Sequence, residues 1–183
     1  MMFEFAPQIY GEKVTPWVAE SRLMELGPGE PDHSRLAGLK QIQPATFCAQ
    51  PADLKMANAC LAAVWLYYDF LNESHELSQE IHTATGSYWH GIMHRREPDP
   101  GNSKYWFHRV GTHPIFAPLA EAARSLDPQA NVVSAGPWDP FAFIDACEAA
   151  RRGNSPHEQL CRQIQLVEWQ LLFDYCFHAA AGK

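Results

Sequence analysis

Between positions 87 and 114 the chain reads SYWHGIMHRREPDPGNSKYWFHRVGTHP, a stretch that gathers four of its nine histidines with Arg95, Arg96, Lys104 and Arg109. Histidine brings a ring nitrogen that titrates near neutrality and can ligate a metal. Arginine brings a planar fork that fits carboxylate or phosphate. His90, His94 and Glu97 follow at spacings of four and three residues, which on a helix puts them within about 60° of one another. Two imidazoles so placed can hold one divalent metal ion, with Glu97 adding an oxygen. A third strong ligand has to come from His75, His82, His108 or His113, and His113 is the one expected. His90 and His94 are also the candidates for general acid–base catalysis.

A second chemistry rests on the cations. Arg95, Arg96, Lys104 and Arg109 can bind a small anion, with Tyr105 or Trp106 covering the flat part of the ligand. Tyr105 and Arg109 are four apart and can meet on one helix, as can Lys104 and His108. The alternative for the same residues is an internal network, with Arg96 and Glu97 pairing to Asp99, Asp69 or Arg109. Glu168, if buried, would find Arg96 or Arg109. A third reading takes the Tyr105-Trp106-Phe107 run as a surface that packs on a partner or on a second copy of the chain.

Helices have to position these groups. Asp53 can cap an apolar helix running to about Asn72, and an apolar run at 57–71 is too short for a comfortable membrane span. A polar helix follows over 76–82. Ser87 is the expected cap for a helix over 88–97, in which Trp89, Ile92 and Met93 face the core, His90 and His94 lie half buried at the margin, and Arg95 points away. Asn102 or Ser103 should cap a short helix over 104–110 that ends at Gly111. Further helices are expected over 116–126, from Asp139-Pro140 to about Arg152, and from a capping box at 155–158 onward. The last one carries a stripe of Leu160, Ile164, Val167, Leu171 and Tyr175, and ends near an Asp174–His178 surface pair. No alternating segment competes, so the fold class is all-α: a single-domain bundle over 53–183, with a Pro/Gly-rich arm over 1–52 that holds one short helix at 17–26.

Composition narrows the function. At 183 residues, 46 % hydrophobic and 19 % charged, the chain is an ordinary globular domain. A net charge of −7 argues against nucleic acid as a partner. The segment from His90 to His113 nevertheless carries four cations against Glu97 and Asp99, a local gradient that could draw in a small anion. The five cysteines show no C-x-x-C spacing, and the opening MMFEFAPQIYGEK lacks a basic and apolar leader. A cytoplasmic protein without membrane contact is expected, with self-association left open. Nucleotide-binding loops and the G-x-S-x-G elbow are missing.

Four blocks taken together, DFLNESH (69–75), GSYWHGIMHRREPD (86–99), NSKYWF (102–107) and GTHP (111–114), resemble a family of bacterial and fungal proteins without an established function. Its mark is W-H-x-I-x-H-R-R-E-x-D followed by N-x-K-Y-W-F. The match covers about a quarter of the chain. It implies a place and no catalytic role: His90, His94, Arg95, Arg96, Glu97, Asp99, Asn102, Lys104, Tyr105 and Trp106. Where the family pattern sets arginine directly after Y-W-F, this chain has His108 and then Arg109. The expected function is binding of a small anionic metabolite, a phosphorylated one included, with His90 or His94 as acid/base. A metal-dependent enzyme and a scaffold protein are the alternatives. The cofactor is unassigned, a divalent metal being the candidate.

Overall fold

The computed structural model describes residues 4–19, 22–153 and 155–183, and within them every regular element is helical. A 3-10 turn at Pro7–Tyr10 and three one-turn helices, α1 (Thr15–Val18), α2 (Leu36–Leu39) and α3 (Pro44–Phe47), punctuate the arm. The bundle follows as α4 (Leu54–Tyr67), α5 (Leu71–Gln79), α6 (Ala84–Arg96), α7 (Pro100–Val110), α8 (Phe116–Leu126), α9 (Pro140–Arg152) and α10 (Glu158–Ala180). None of these is long and apolar enough to cross a membrane.

The arm packs into the same core as the bundle, through Tyr10, Val14, Val18, Met24, Leu26, Leu39, Ile42 and Phe47. The helix expected over 17–26 is the single turn α1, and residues 22–26 are non-helical. Glu20 and Ser21 of that expectation lie outside the described residues. Bundle side chains instead bind the extended backbone there. Arg162 donates to the carbonyls of Leu23 and Met24, and Gln165 to that of Glu25.

Asp53 caps α4 as expected, accepting from the N–H groups of Lys55 and Met56. The helix stops at Tyr67 rather than near Asn72, because Asp69 takes a left-handed conformation (φ 66°). The N–H of Phe70 then reaches the carbonyl of Trp65 at 3.0 Å and that of Asp69 reaches Leu66 at 3.2 Å. This is a Schellman closure, and its usual hydrophobic contact is the Trp65–Phe70 ring pair. Glycine is usual at that position, but aspartate tolerates it. Here the carboxylate is used: it pairs with Arg96 at 2.5 Å and with Arg22. The polar helix α5 therefore starts at Leu71, earlier than the expected 76.

Helix α6 also starts earlier than expected. Thr83, not Ser87, caps it by accepting from the N–H of Gly86. Gly86 is required, since a Cβ there would lie 1.9 Å from the carbonyl oxygen of Ile81. Likewise Asp99, not Asn102 or Ser103, caps α7. Ser103 is free to donate to the carbonyl of Gly91 at 2.7 Å, and Phe107 lies where a Cβ on Gly91 would meet it at 2.7 Å. The bare face of Gly91 thus lets α7 lie close against α6.

The cap boxes behave unequally. Asp139 opens α9 as expected, whereas the Ser155 hydroxyl accepts from the N–H of His157 and α10 begins at Glu158. Its inner face is also rotated from the expected stripe. Cys161, Ile164, Glu168, Trp169, Leu172, Phe173 and Cys176 are fully buried, while Leu160, Val167 and Tyr175 are only partly covered. Asp174 and His178 do pair, and Tyr10 donates to the same carboxylate.

Candidate metal centre

Helix α6 is buried from Thr85 to Arg96, so its polar residues all need internal partners. Its neighbours supply them on different sides. Arg95 does not point away, as its position beside the apolar stripe suggested. It is 4 % exposed and pairs at 2.5 Å with Glu168, which also accepts from Tyr88. Its guanidinium lies over the Phe143 ring. Glu168 therefore finds Arg95, rather than the expected Arg96 or Arg109. Helix α9 lies close enough to α6 to cover Arg95, which no pattern within α6 announces. Arg96, fully buried, donates to Asp69 and to the carbonyls of Leu66, Glu25, Gly27 and Pro28. Both arginines sit in internal ion pairs that tie α6 to α10, α4 and the arm.

The remaining cations of the expected anion site are separate from these. Lys104 pairs with Asp145 of α9 at 2.6 Å, and its expected neighbour His108 stacks on Phe141. Arg109 meets Tyr105 as expected and lies over the Trp106 ring at 5.3 Å. The aromatic run divides: Phe107 is buried, Tyr105 is exposed, and Trp106 packs against His90 with centroids 4.1 Å apart and the rings tilted by 32°.

His90 and His94 do converge, and they are buried rather than half buried. Their Nε2 atoms are 2.9 Å apart. The third histidine is His75 of α5, not His113. One ligating nitrogen from each of His75, His90 and His94 lies within 4.8 Å of the others. The His75 ring packs on both partners, at centroid distances of 4.6 and 5.3 Å. His113 sits apart, bonded to Thr85 and packed among Tyr88, Phe116 and Tyr175. Glu97 does not face the cluster as a third ligand. Its carboxylate bonds the outer nitrogen of His94, Nδ1, at 2.9 Å.

The outer partners decide which nitrogen carries the proton. A carboxylate can only accept, so His94 holds its hydrogen on Nδ1. Ser78 donates its hydroxyl to the carbonyl of His75, and its oxygen sits 3.3 Å from Nδ1 of His90. With its proton so directed, Ser78 accepts from His90 and leaves a lone pair on that ring's Nε2; with its proton on His90 instead, the Nε2–H of His90 donates to Nε2 of His94 at 2.9 Å. In the first arrangement both Nε2 lone pairs point at each other. The side-chain amide of Asn102 reaches Nε2 of His94 at 3.1 Å.

A proton could relieve that contact, yet the surroundings disfavour it. Burial, then the neighbouring His94 and His75, push His90 down to about 3. Burial also pulls His94 down, against the opposing pull of Glu97. With His90 in its Nδ1–H form a divalent ion fits the same place, since lone pairs facing inward with N–H groups bonded outward are what a metal-binding imidazole needs. Tetrahedral zinc with Zn–N of about 2.05 Å wants nitrogens roughly 3.3 Å apart. A few tenths of an ångström of ring rotation would open the 2.9 Å pair to that spacing.

Sequence reasoning named His75 only as one of four options and missed Ser78. The usable signal was that His75 and Ser78 are three apart on a helix whose Ser74 and Ser78 are buried, a polar face turned inward. No family model, no curated protein and no solved structure matches the chain.

Proposed function

We propose that the protein is a metal-dependent enzyme whose ion is held by the Nε2 atoms of His90 and His94 and by a ring nitrogen of His75. The observation that carries this reading is the convergence of one nitrogen from each of three histidines within 4.8 Å, with the Nε2 atoms of His90 and His94 2.9 Å apart and their Nδ1 atoms turned outward to Ser78 and Glu97. Three neutral imidazoles leave a tetrahedral ion one open position. An ion so bound supplies a Lewis acid and lowers the pKa of a coordinated water toward neutrality. Asn102, beside Nε2 of His94, is placed to bond a group in that open position. Glu97 and Ser78 orient the ligands, and Trp106 covers the face of His90.

Anion binding through the four cations as one cleft has weaker support, because Arg95 and Arg96 face Glu168 and Asp69. The test is elemental analysis of untagged protein purified without chelators, beside a His75→Ala variant and a His90→Ala/His94→Ala variant. Near-stoichiometric zinc, iron, cobalt or manganese in the wild type, lost in both variants, is expected. Metal-free wild-type protein that takes up neither zinc nor cobalt on addition would end the proposal.

A further inference from the structure

Beside the histidine cluster lies a cavity of about 410 Å³ lined by Ile81, His82, Thr83, Ala84, Ser87, Trp106 and Arg109. Its size is that of a small-molecule site. No carboxylate lines it, although the chain as a whole is acidic. The polar groups around it are donors, or hydroxyls that can donate.

Three of them stand without a strong partner. Ser87 is only 6 % exposed, and its hydroxyl makes no hydrogen bond among the described residues. The hydroxyl oxygen keeps access to the cavity, where a ligand can meet it. The N–H groups of Ala84 and Thr85 open α6 and have no intrahelical acceptor, and the first turn of that helix contains no acidic residue. Arg109 has no carboxylate partner among the described residues. Its guanidinium is steadied by the Tyr105 and Trp106 rings and donates only to the Tyr105 hydroxyl, at 3.5 Å, among the described residues.

We propose that this cavity docks the phosphate group of a small metabolite. The N-terminus and Ser87 hydroxyl of α6, with Arg109 of α7, line one cavity and suit an oxyanion such as phosphate. As a site for an anion the cavity stands on its own residues. As the place where a substrate of the metal centre is held, it rests on the reading above. The two are joined by Trp106, which lines the cavity and packs against the His90 ring. Ser87 is also one helical turn before His90, a rise of about 4.5 Å. A phosphorylated molecule anchored here would extend along α7 toward the ion.

The experiment is calorimetric titration of the purified protein with inorganic phosphate, at an ionic strength held constant with chloride. Acetate serves as the second probe. The variants are Arg109→Gln, Ser87→Ala and, for the metal ligands, His75→Gln. Because Arg109 is exposed, its variant should melt with the wild type in chloride, and this is checked first. Saturable phosphate binding is expected, weakened about tenfold or more by Arg109→Gln and severalfold by Ser87→Ala. Binding should survive His75→Gln. Absence of saturable binding overturns the proposal, as does wild-type affinity in Arg109→Gln. Loss in His75→Gln with retention in Arg109→Gln would put the anion on the ion instead. Acetate binding as well as phosphate would overturn the choice of phosphate. Metal content, measured on the same preparations, reports separately on the metal reading.

Discussion

Replacing Glu97 by glutamine isolates the electrostatic part of the proposed metal centre. The carboxylate accepts from Nδ1 of His94 at 2.9 Å, and its side chain is 51 % exposed. Glutamine keeps an acceptor oxygen at that place, so the tautomer of His94 survives. What is lost is the negative charge that raises the basicity of Nε2 and partly neutralises the ion. Outer partners of metal-binding histidines are worth roughly 10- to 100-fold in affinity. Half-exposure screens this one, which places Glu97→Gln near the lower end, about tenfold or 1.4 kcal/mol. Glu97→Ala also removes the acceptor and should approach the upper end. The assay is competition for cobalt or zinc against a chromophoric chelator, at fixed pH and ionic strength. A thermal readout should agree: at an ion concentration 100 times the wild-type Kd, stabilisation of about 2.7 kcal/mol falls to about 1.4. The metal-free proteins should differ by less than about 1 kcal/mol, because an exposed pair contributes little. Unchanged or tighter metal binding in Glu97→Gln would refute the assignment of Glu97 as an orienting partner. An equal loss of stability in the metal-free protein would make its role purely structural.

Two further outcomes follow from the buried groups around α6. Asp69→Asn keeps a residue that tolerates the left-handed turn but strips Arg96 of its counter-charge. Breaking a buried pair costs roughly 3–5 kcal/mol, and the four carbonyls that remain on Arg96 favour the lower figure, about 3 kcal/mol in urea unfolding. A loss under about 1 kcal/mol would mean that the carbonyl cage alone holds the guanidinium. His113, pushed down to about 4 by burial, protonates more readily when unfolded, where its pKa is about 6.5. Its contribution is therefore complete above about pH 6.5 and declines as pH falls toward 4, by up to about 3 kcal/mol. Subtracting the pH–stability curve of His113→Gln from that of the wild type should reveal this slope, and parallel curves would contradict it.

The all-helical class is legible in the sequence because it depends on local patterns. Apolar spacing marks α4, α8 and α10, and proline after aspartate marks the start of α9. The spacing of His90, His94 and Glu97 likewise fixes their common side of α6, since a helix imposes about 100° per residue whatever surrounds it. Cap choice is less legible: Thr83 and Ser87, or Asp99 and Asn102, compete locally, and the close approaches at Gly86 and Gly91 decide between them.

What only the tertiary structure decides is the partner of each polar group. Arg95 looks outward on a helical wheel, yet α9 and α10 cover it with Phe143 and Glu168. His75 and His113 are equivalent as text, but the turn at Asp69 redirects the chain so that α5 brings His75 against α6. Helical periodicity says which residues share a face. Which neighbour occupies that face depends on contacts between residues far apart in the chain, and no local pattern encodes them.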